Sequence, residues 1–368
     1  MTPSLLPVFW LFITVVLTTF VVLRLLAPHA ARLHLIDLPN RRKLHEGQVP
    51  LIGGISIYLG AMCGFSLWLL MRQSIAMDEV FFWLVATLTV LVGVYDDRRD
   101  LSVRLRIVFQ ALLILLLVVG SGNQLNDLGF LFGEGFGVVD LGIFSLIFTL
   151  IAMLGIVNAF NMVDGIDGLL GGLALVSLTS LAWLAWTDGA MIIASTALLV
   201  VAGLVPFLLC NLVPQRLGCK KVFMGDAGAL FIGLTVAWLL VLASQTDALA
   251  EAVANGTAVA MSESVIRPVT ALWLVAIPLM DTVAVIIRRI AAGRNPFKAD
   301  REHLHHLLIR YGCSQLQAML LIVTAAFLCA GIGVLSDMLR LSEVWMFVSF
   351  LSLFALYYAA LSLAWRRV

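Results

Sequence analysis

Long apolar runs dominate this chain and leave few folds open to it. A spanning helix needs roughly 20 mostly apolar residues, and about eleven runs of that kind follow one another along the sequence. Hydrophobic residues make up 62% of the chain and charged ones 12%, with a mean hydropathy of +1.05. A soluble domain is about 45–50% apolar and about 25% charged. The sequence therefore predicts an all-α, polytopic membrane helix bundle of about eleven transmembrane helices.

The charged residues between these runs favour one orientation. The predicted spans are 5–26, 49–70, 79–95, 103–120, 140–158, 168–186, 190–210, 226–245, 269–288, 315–335 and 344–364. With the N-terminus outside, the outer loops hold only Arg72, Arg267 and Arg340 among all Lys and Arg residues. Because basic residues stay in the cytoplasm, the N-terminus is predicted to be periplasmic and the C-terminus cytoplasmic.

The chain is predicted to be one integral-membrane domain, 1–368, whose unusual residues lie in its cytoplasmic segments. The first apolar run has no Lys or Arg before it and no convincing cleavage site, so we expect it to stay as a helix rather than act as a signal peptide. The predicted cytoplasmic segments are 27–48, 96–102, 159–167, 211–225 and 289–314.

Two adjacent acids, Asp96 and Asp97, end the third predicted span. Charged residues often flank a membrane span, and for a single Asp that would be the preferred interpretation. A pair at a helix C-terminus is electrostatically unfavourable, so a positive partner is expected nearby. A metal ion or a magnesium-bound phosphate would serve, and so would one of the neighbouring arginines, Arg98, Arg99, Arg104 and Arg106.

A second acidic segment contains Asn161, Asp164 and Asp167. The two acids would share one side if this segment were helical, and the glycines after them would let a ligand approach the backbone. A lone DxxD pattern is equally compatible with an ordinary helix–loop–helix connection, and both interpretations stay open.

A third segment contains Asn211, Phe223 and Asp226, with Asp226 between two glycines at the start of the eighth span. An Asp at this position is a common helix N-cap. It would also suit a metal ion, and Phe223 could stack on a nucleobase or simply pack.

Basic residues and histidines fill the longest inner segment and the first one. The pattern His303-Leu-His305-His306 follows Arg289 and Arg301, while Lys43 and His45 precede the second span. The histidines could bind zinc, but the surrounding arginines favour phosphate. Lys43 and His45 could also be plain positive-inside anchors.

A lone acid, Asp281, lies inside the ninth predicted span. Intramembrane acids are costly and are usually functional or paired. Arg288, seven residues later, could face Asp281, and we expect Asp281 to have a structural role or to support the site from behind.

Taken together, these segments supply carboxylates for Mg²⁺ and Lys, Arg and His donors for phosphates. Phosphoryl transfer needs little more than positioning and charge neutralisation. A hydrophobic bundle with its polar residues at the inner surface suits one lipid substrate and one water-soluble substrate.

The same motifs resemble those of the polyprenyl-phosphate N-acetylhexosamine-1-phosphate transferases, nearly end to end. They are KxHxGxxPLxGG from Lys43, the Asp96-Asp97 pair, NAFNMVDGIDGLLGG from Asn158, VFMGDAG from Val222 and HLHH from His303. The HxHH form favours the branch that uses UDP-GlcNAc over the phospho-MurNAc-pentapeptide branch. Ala229 departs from the family, where Ser is frequent, and weakens any role for a hydroxyl there.

The resemblance implies a reaction in which undecaprenyl phosphate takes GlcNAc-1-phosphate from UDP-GlcNAc and UMP is released, as the first lipid-linked step of O-antigen or common-antigen synthesis. It implies a bacterial inner membrane, a cytoplasmic active site, Mg²⁺ with Mn²⁺ as an alternative, no nucleic acid, and a plausible homodimer. The implied catalytic residues are Asp96, Asp97, Asp226 and His303, and the implied metal ligands are Asp226, Asn211 and Asp97. The implied substrate-binding residues are Lys43, His45, Asn161, Asp164, Asp167, Phe223, Arg289, Arg301, His305 and His306.

Three other functions remain open at this point. The chain could transfer a different UDP-sugar of the same family. It could be a transporter for a lipid-linked solute, although transporters place ionisable residues near the bilayer midplane. It could also be a zinc-dependent membrane hydrolase that uses the HLHH pattern.

Overall fold

The computed structural model describes residues 5–38, 47–245, 264–295 and 302–367. Over these ranges the chain is almost entirely helical. The α-helices are α1 (Leu5–Leu26), α2 (Gly53–Arg72), α3 (Met77–Arg99), α4 (Val103–Ser121), α5 (Ser145–Val163), α6 (Leu169–Thr187), α7 (Met191–Leu212), α8 (Gly225–Gln245), α9 (Pro268–Leu274), α10 (Ala276–Ala291), α11 (Leu304–Arg310), α12 (Gln315–Met338) and α13 (Glu343–Arg367). Two short strands, β1 (Ile36–Asp37) and β2 (Val49–Pro50), pair antiparallel.

Within the described ranges, 10 helices are long and apolar enough to cross a membrane, or up to 11 if the bent pair α9 and α10 forms one span. The predicted all-α, polytopic architecture is therefore confirmed. The orientation of the termini stays a prediction.

The ninth predicted span is not one straight helix. Helices α9 and α10 meet at Val275 with a bend of 83°. The bend has a local cause, because Pro278 has no N–H to bond the carbonyl of Leu274 four residues earlier. That carbonyl instead accepts a hydrogen bond of 2.8 Å from the hydroxyl of Ser177 on α6.

Contacts divide the chain into two compact units. The first contains Met1–Gly122 and Ser195–Thr235, and the second contains Asn123–Ala194 and Val236–Val368. The single domain expected from the sequence stays a prediction.

In the first unit, small residues let three helix backbones meet. A Cβ atom on Gly54 of α2 would lie 2.1 Å from Cα of Gly228, and one on Gly93 of α3 would lie 2.3 Å from Cα of Ala227. No side chain fits at either glycine, so α2 and α3 both pack closely against the first turns of α8. These contacts fix the end of α3, which carries the acidic pair, beside the start of α8.

In the second unit, α12 packs on α6, α9 and α10, while α13 packs on α9, α10 and the short helix α11. Leu307 of α11, Ala284 of α10 and Leu361 of α13 form a buried apolar cluster. The helix α11 carries the histidines and has only 7 residues. The packing of its side chains against α10 and α13 holds it in place.

Candidate functional site

An acidic cluster lies where α3 ends in the first unit. Helix α3 continues to Arg99, beyond the predicted end at 95, so Asp96 and Asp97 belong to its last turns. Asp96 is buried, with an exposed fraction of 4%. Its carboxylate accepts hydrogen bonds from the backbone N–H of Leu101 at 2.8 Å and from Nη1 of Arg106 at 3.3 Å.

The positive partner expected for the acidic pair is Arg106 of α4. Its Nη1 atom lies 3.3 Å from Oδ2 of Asp96 and 3.3 Å from Oδ1 of Asp226. One cationic nitrogen therefore lies between two carboxylates from different helices. The positive charge of the guanidinium offsets the repulsion between these two carboxylates.

The second acid of the pair has a different task. The carboxylate of Asp97 accepts hydrogen bonds from the backbone N–H groups of Asp226 at 2.8 Å and Ala227 at 3.2 Å. These are orphan donors of the first turn of α8, and a negative charge there is favourable. Gly225 permits this arrangement, because its φ of +73° favours glycine and a Cβ would lie 2.7 Å from Oδ2 of Asp97.

Two of the sequence motifs join through their backbones in the same unit. The N–H of Phe223 donates to Pro50, and the carbonyl groups of Phe223 and Met224 accept from Gly53 and Gly54, each at 2.9 Å. The segment before α8 is thus held along the start of α2. The ring of Phe223 is half-buried, and Nζ of Lys221 lies 5.3 Å from its centroid.

Asn211 supports the same segment from the end of α7. Its Nδ2 donates to the carbonyl of Val222 at 2.8 Å, and the residue is buried. Ala229, at the position where the family often has Ser, is buried in α8 with 1% exposure.

The carboxylates of the acidic cluster are of the kind that coordinates a magnesium ion. Among the described residues, no group of three or more His, Cys, Asp or Glu side chains is placed to hold a metal. Zinc sites need three or four such ligands. Magnesium usually takes one or two carboxylates plus substrate phosphates and water. The nitrogen of Arg106 between Asp226 and Asp96 shows that positive charge is favourable beside the carboxylate of Asp226, the predicted metal ligand.

The segment that contains Asp164 and Asp167 is not helical, although a shared side for the two acids required a helix. Helix α5 ends at Val163, and residues 164–168 form turns before α6 begins. The helical spacing that was expected to put Asp164 and Asp167 on one side therefore does not apply. Asn161 lies in the last turn of α5.

The glycine between these acids touches the histidine motif in the second unit. A Cβ on Gly165 would lie 2.2 Å from Nε2 of His305, which is itself 2% exposed. The glycine was predicted to permit the approach of a ligand, and in the structure it permits the approach of His305. Burial, together with the charges of His306 and His303, lowers the pKa of His305 to about 3, so its ring is neutral at neutral pH.

The three histidines form a row of rings. The ring centroids of His303 and His305 are 6.1 Å apart, and the two ring planes are nearly parallel. The ring centroids of His305 and His306 are 4.1 Å apart. His303 is buried and precedes α11 directly.

The intramembrane acid has a different partner from the one predicted. Asp281 accepts a hydrogen bond of 2.8 Å from Nδ1 of His303. Arg288 instead pairs with Glu302 at 3.2 Å. The prediction of an Arg288 partner was wrong because the sequence does not reveal that a loop residue returns to this helix.

Of the other predicted site residues, Arg289 lies in the last turn of α10 and is buried at 1% exposure. Lys43, His45 and Arg301 lie outside the described residues.

Comparisons with known proteins agree with these observations. Residues 80–244 match the sequence profile of glycosyl transferase family 4. The chain is 40% identical over 339 residues to the undecaprenyl-phosphate alpha-N-acetylglucosaminyl 1-phosphate transferase of Yersinia pestis, covering 92% of this chain and 87% of that protein. It is also 40% identical to the proteins of that name from Haemophilus influenzae over 352 residues, with 95% and 93% coverage, and from Salmonella typhi over 358 residues, with 96% and 91% coverage.

The chain belongs to glycosyl transferase family 4. This family 4 protein is a multi-pass membrane protein, with 10 helices in the described ranges that are long and apolar enough to span a membrane. The family match begins in α3 and ends in α8, so it covers the acidic cluster of the first unit. It also covers the turn that carries Asp164 and Asp167.

Sequence reasoning missed specific partners in this family 4 protein. Arg106 was considered only as one of several nearby cations, and its place between Asp96 and Asp226 came from the structure. Tyr357, which donates to Asp281 at 2.8 Å, was not singled out at all. A Tyr inside a long apolar helix is only a weak sequence signal for such a partner.

Proposed function

We propose that this protein transfers GlcNAc-1-phosphate from UDP-GlcNAc to undecaprenyl phosphate, releasing UMP and forming undecaprenyl-diphosphate-GlcNAc. Relatives that carry the name of this activity are 40% identical over as much as 96% of the chain, and this observation carries the proposal. The cluster of Asp96, Asp226 and Arg106 supports it, because such a cluster can handle a phosphate and its counterion.

In the proposed reaction, a phosphate oxygen of the lipid forms a bond to the β-phosphorus of UDP-GlcNAc. The bond from that phosphorus to the bridging oxygen breaks, and UMP leaves with its electron pair. The protein forms no covalent bond, so its residues act by placing the phosphates and neutralising charge.

Asp96 is proposed to position the lipid phosphate rather than to remove a proton from it. A phosphate monoester has a second pKa of about 6 and is largely dianionic at neutral pH. The carboxylate of Asp96 is held by Leu101 and Arg106, which fixes its place at the end of α3. Arg106 is placed to neutralise an added phosphate.

Mg²⁺, or Mn²⁺ in its place, would be held by Asp226 with Asn211 and Asp97 and would neutralise diphosphate charge. The structure gives Asp97 the prior task of binding the first turn of α8, so Asp226 is the main candidate ligand. Asn211 also orders the segment that precedes Asp226.

The remaining roles are proposed from the family motifs. His303 would act at the diphosphate, and Phe223 would stack on the uracil. Asn161, Asp164 and Asp167 would order the nucleotide, while Arg289, Arg301, His305 and His306 would bind diphosphate and sugar. Lys43 and His45 would lie near the lipid phosphate.

The cellular setting is proposed on the same grounds. The basic loops favour a bacterial inner membrane with a cytoplasmic active site. The product would start O-antigen or common-antigen type polysaccharides, and the homodimer stays a prediction.

Release of UMP by the purified protein in detergent tests the proposal. The assay contains UDP-GlcNAc, undecaprenyl phosphate and Mg²⁺, and each is omitted in turn. Release that requires all three supports the proposal. Release only with another UDP-sugar would keep the reaction and change the donor, whereas no release with any UDP-sugar from folded protein would overturn the proposal and favour a transporter.

A further inference from the structure

A buried carboxylate joins three separate segments of the second unit. Asp281 of α10 is 2% exposed. Its Oδ2 atom accepts from Nδ1 of His303 at 2.8 Å, and its Oδ1 atom accepts from the backbone N–H of Leu304 at 3.0 Å and the hydroxyl of Tyr357 at 2.8 Å. Both oxygens are therefore bonded, and the carboxylate cannot rotate without breaking a contact.

These contacts decide which ring nitrogen of His303 can meet a substrate. A carboxylate only accepts, so Nδ1 of His303 carries the hydrogen that it shares with Asp281. Nε2 is then the ring nitrogen available to a ligand.

The C-terminal end of helix α13 packs beside the contacts between Asp281, His303 and Tyr357. The ring of Trp365 lies between two guanidinium groups, 5.3 Å from that of Arg288 and 4.9 Å from that of Arg310. The hydroxyl of Tyr311 donates to the carbonyl of Ala364 at 3.1 Å. These contacts join the last turns of α13 to both α10 and α11, so the helix that carries Tyr357 is held against the two helices that flank Asp281 and His303.

We infer that Asp281 and Tyr357 are positioning residues for His303: Asp281 sets its tautomer and ring orientation, and Tyr357 holds the carboxylate of Asp281 in place. This inference rests on the proposed function for the role of His303 at the diphosphate. Neither Asp281 nor Tyr357 contacts the substrate in this scheme. Both act through the imidazole.

A double-mutant cycle on turnover tests the inference. D281N lets the amide donate to Nδ1 and move the ring hydrogen to Nε2, so kcat is expected to fall roughly 10²-fold, as for a misplaced catalytic group. Y357F removes one hydrogen bond to a charged group and is expected to lower kcat roughly tenfold. In an H303A background, neither change should lower kcat further.

The matched control is Y358F, which removes a hydroxyl from the next residue of the same helix and is expected to leave kcat within about twofold of wild type. Size-exclusion profiles and melting temperatures in detergent show whether each variant is folded. Losses that add fully in the H303A background would overturn the inference, because they would show that Asp281 and Tyr357 act independently of His303.

A spectroscopic measurement separates this inference from the proposed function. The chain has 6 histidines, so ¹⁵N-histidine labelling of the full protein in lipid gives few ring signals, and H303A assigns the one needed. Wild type is expected to show a hydrogen on Nδ1 of His303, and D281N is expected to lose that state. A wild-type ring with its hydrogen on Nε2 alone would overturn the inference even in a fully active enzyme. Wild type that releases no UMP would overturn the proposed function and leave the tautomer result to stand.

Discussion

The carboxylate of Asp97 accepts a hydrogen bond of 2.8 Å from the backbone N–H of Asp226. The end of α3 is thus bound to the start of α8, and two adjacent acids have different tasks. Asp97 completes the first turn of α8, while Asp96 meets the cation Arg106.

Replacing Asp97 by Asn should mainly reduce stability, and it should raise the Mg²⁺ requirement less than the replacement of Asp226 does. The amide keeps one acceptor and loses both the charge and the second acceptor at the N-terminus of α8. We expect a loss of roughly 1 kcal/mol in the free energy of unfolding. Thermal unfolding in detergent measures it, and a variant as stable as wild type but needing far more Mg²⁺ would make Asp97 a metal ligand instead.

Replacing Asp226 by Asn should change the metal requirement more than the stability. The backbone N–H that bonds Asp97 is retained, so stability should change little, whereas one carboxylate of the candidate metal site is lost. We expect the Mg²⁺ concentration for half-maximal activity to rise more than the KM for UDP-GlcNAc. A Mg²⁺ titration that matches wild type would remove Asp226 from the metal site.

Replacing Asp96 by Asn should lower turnover severely at every pH. The change removes the charge that Arg106 balances, and positioning of the lipid phosphate is lost. Turnover from pH 6.5 to 9 checks this. Recovery at high pH would instead identify Asp96 as a base. The control is D100N, because Asp100 is exposed and has a left-handed φ of 52°, which Asn also adopts readily.

Replacing Gly165 by Ala should disturb the histidine row. The new methyl would lie 2.2 Å from Nε2 of His305, and this buried ring has little room to move. We expect a loss of about 1–3 kcal/mol in stability and a fall in kcat. Thermal unfolding and UMP release are the measurements.

The control for that change is G155A, at a glycine of α5 with nothing within 4 Å of its Cβ position. Ala is the better helix former, so stability there should stay equal or rise by roughly 0.5–1 kcal/mol. Equal effects at both positions would show that the contact with His305 is unimportant.

Acidification should destabilise the fold through His305. Its pKa is about 3 in the folded protein and about 6.5 in an unfolded chain. Between these values the unfolded state binds an extra proton, so this contribution is intact above pH 6.5 and is lost as the pH falls from there towards 3. The limiting slope is about 1.4 kcal/mol per pH unit.

Melting temperatures at pH 7.5, 6.5 and 5.5 test this expectation. Wild type should lose more stability between pH 6.5 and 5.5 than H305Q, while H29Q, at an exposed histidine, should follow wild type. Parallel curves for wild type and H305Q would contradict it.

The helices and the residues of the acidic cluster could be predicted from the sequence, because apolar length and adjacent acids are local signals. The bend at Val275 was missed. A proline such as Pro278 is often tolerated inside a membrane helix, and the hydroxyl of Ser177 that accommodates it lies far away in sequence.

The same limit applies to the polar partners. Asp281 and His303 are 22 residues apart, and Asp281 and Tyr357 are 76 apart. Spacing within one helix suggested Arg288, because only neighbours on the same helix can be read from periodicity. Asp96 and Asp97 also have different partners, Arg106 and the backbone of Asp226, and both partners lie on other helices. A local sequence pattern cannot reveal such partners.

The hydrogen bond from Tyr357 to Asp281 also bears on the order in which the protein is made. The ribosome completes the histidine segment before it reaches α13, so a growing chain would hold His303 without the hydroxyl that steadies its partner. Incomplete chains stalled in the membrane would then have poorly ordered imidazoles. Full activity would then be reached only after α13 has inserted and Tyr357 has met Asp281.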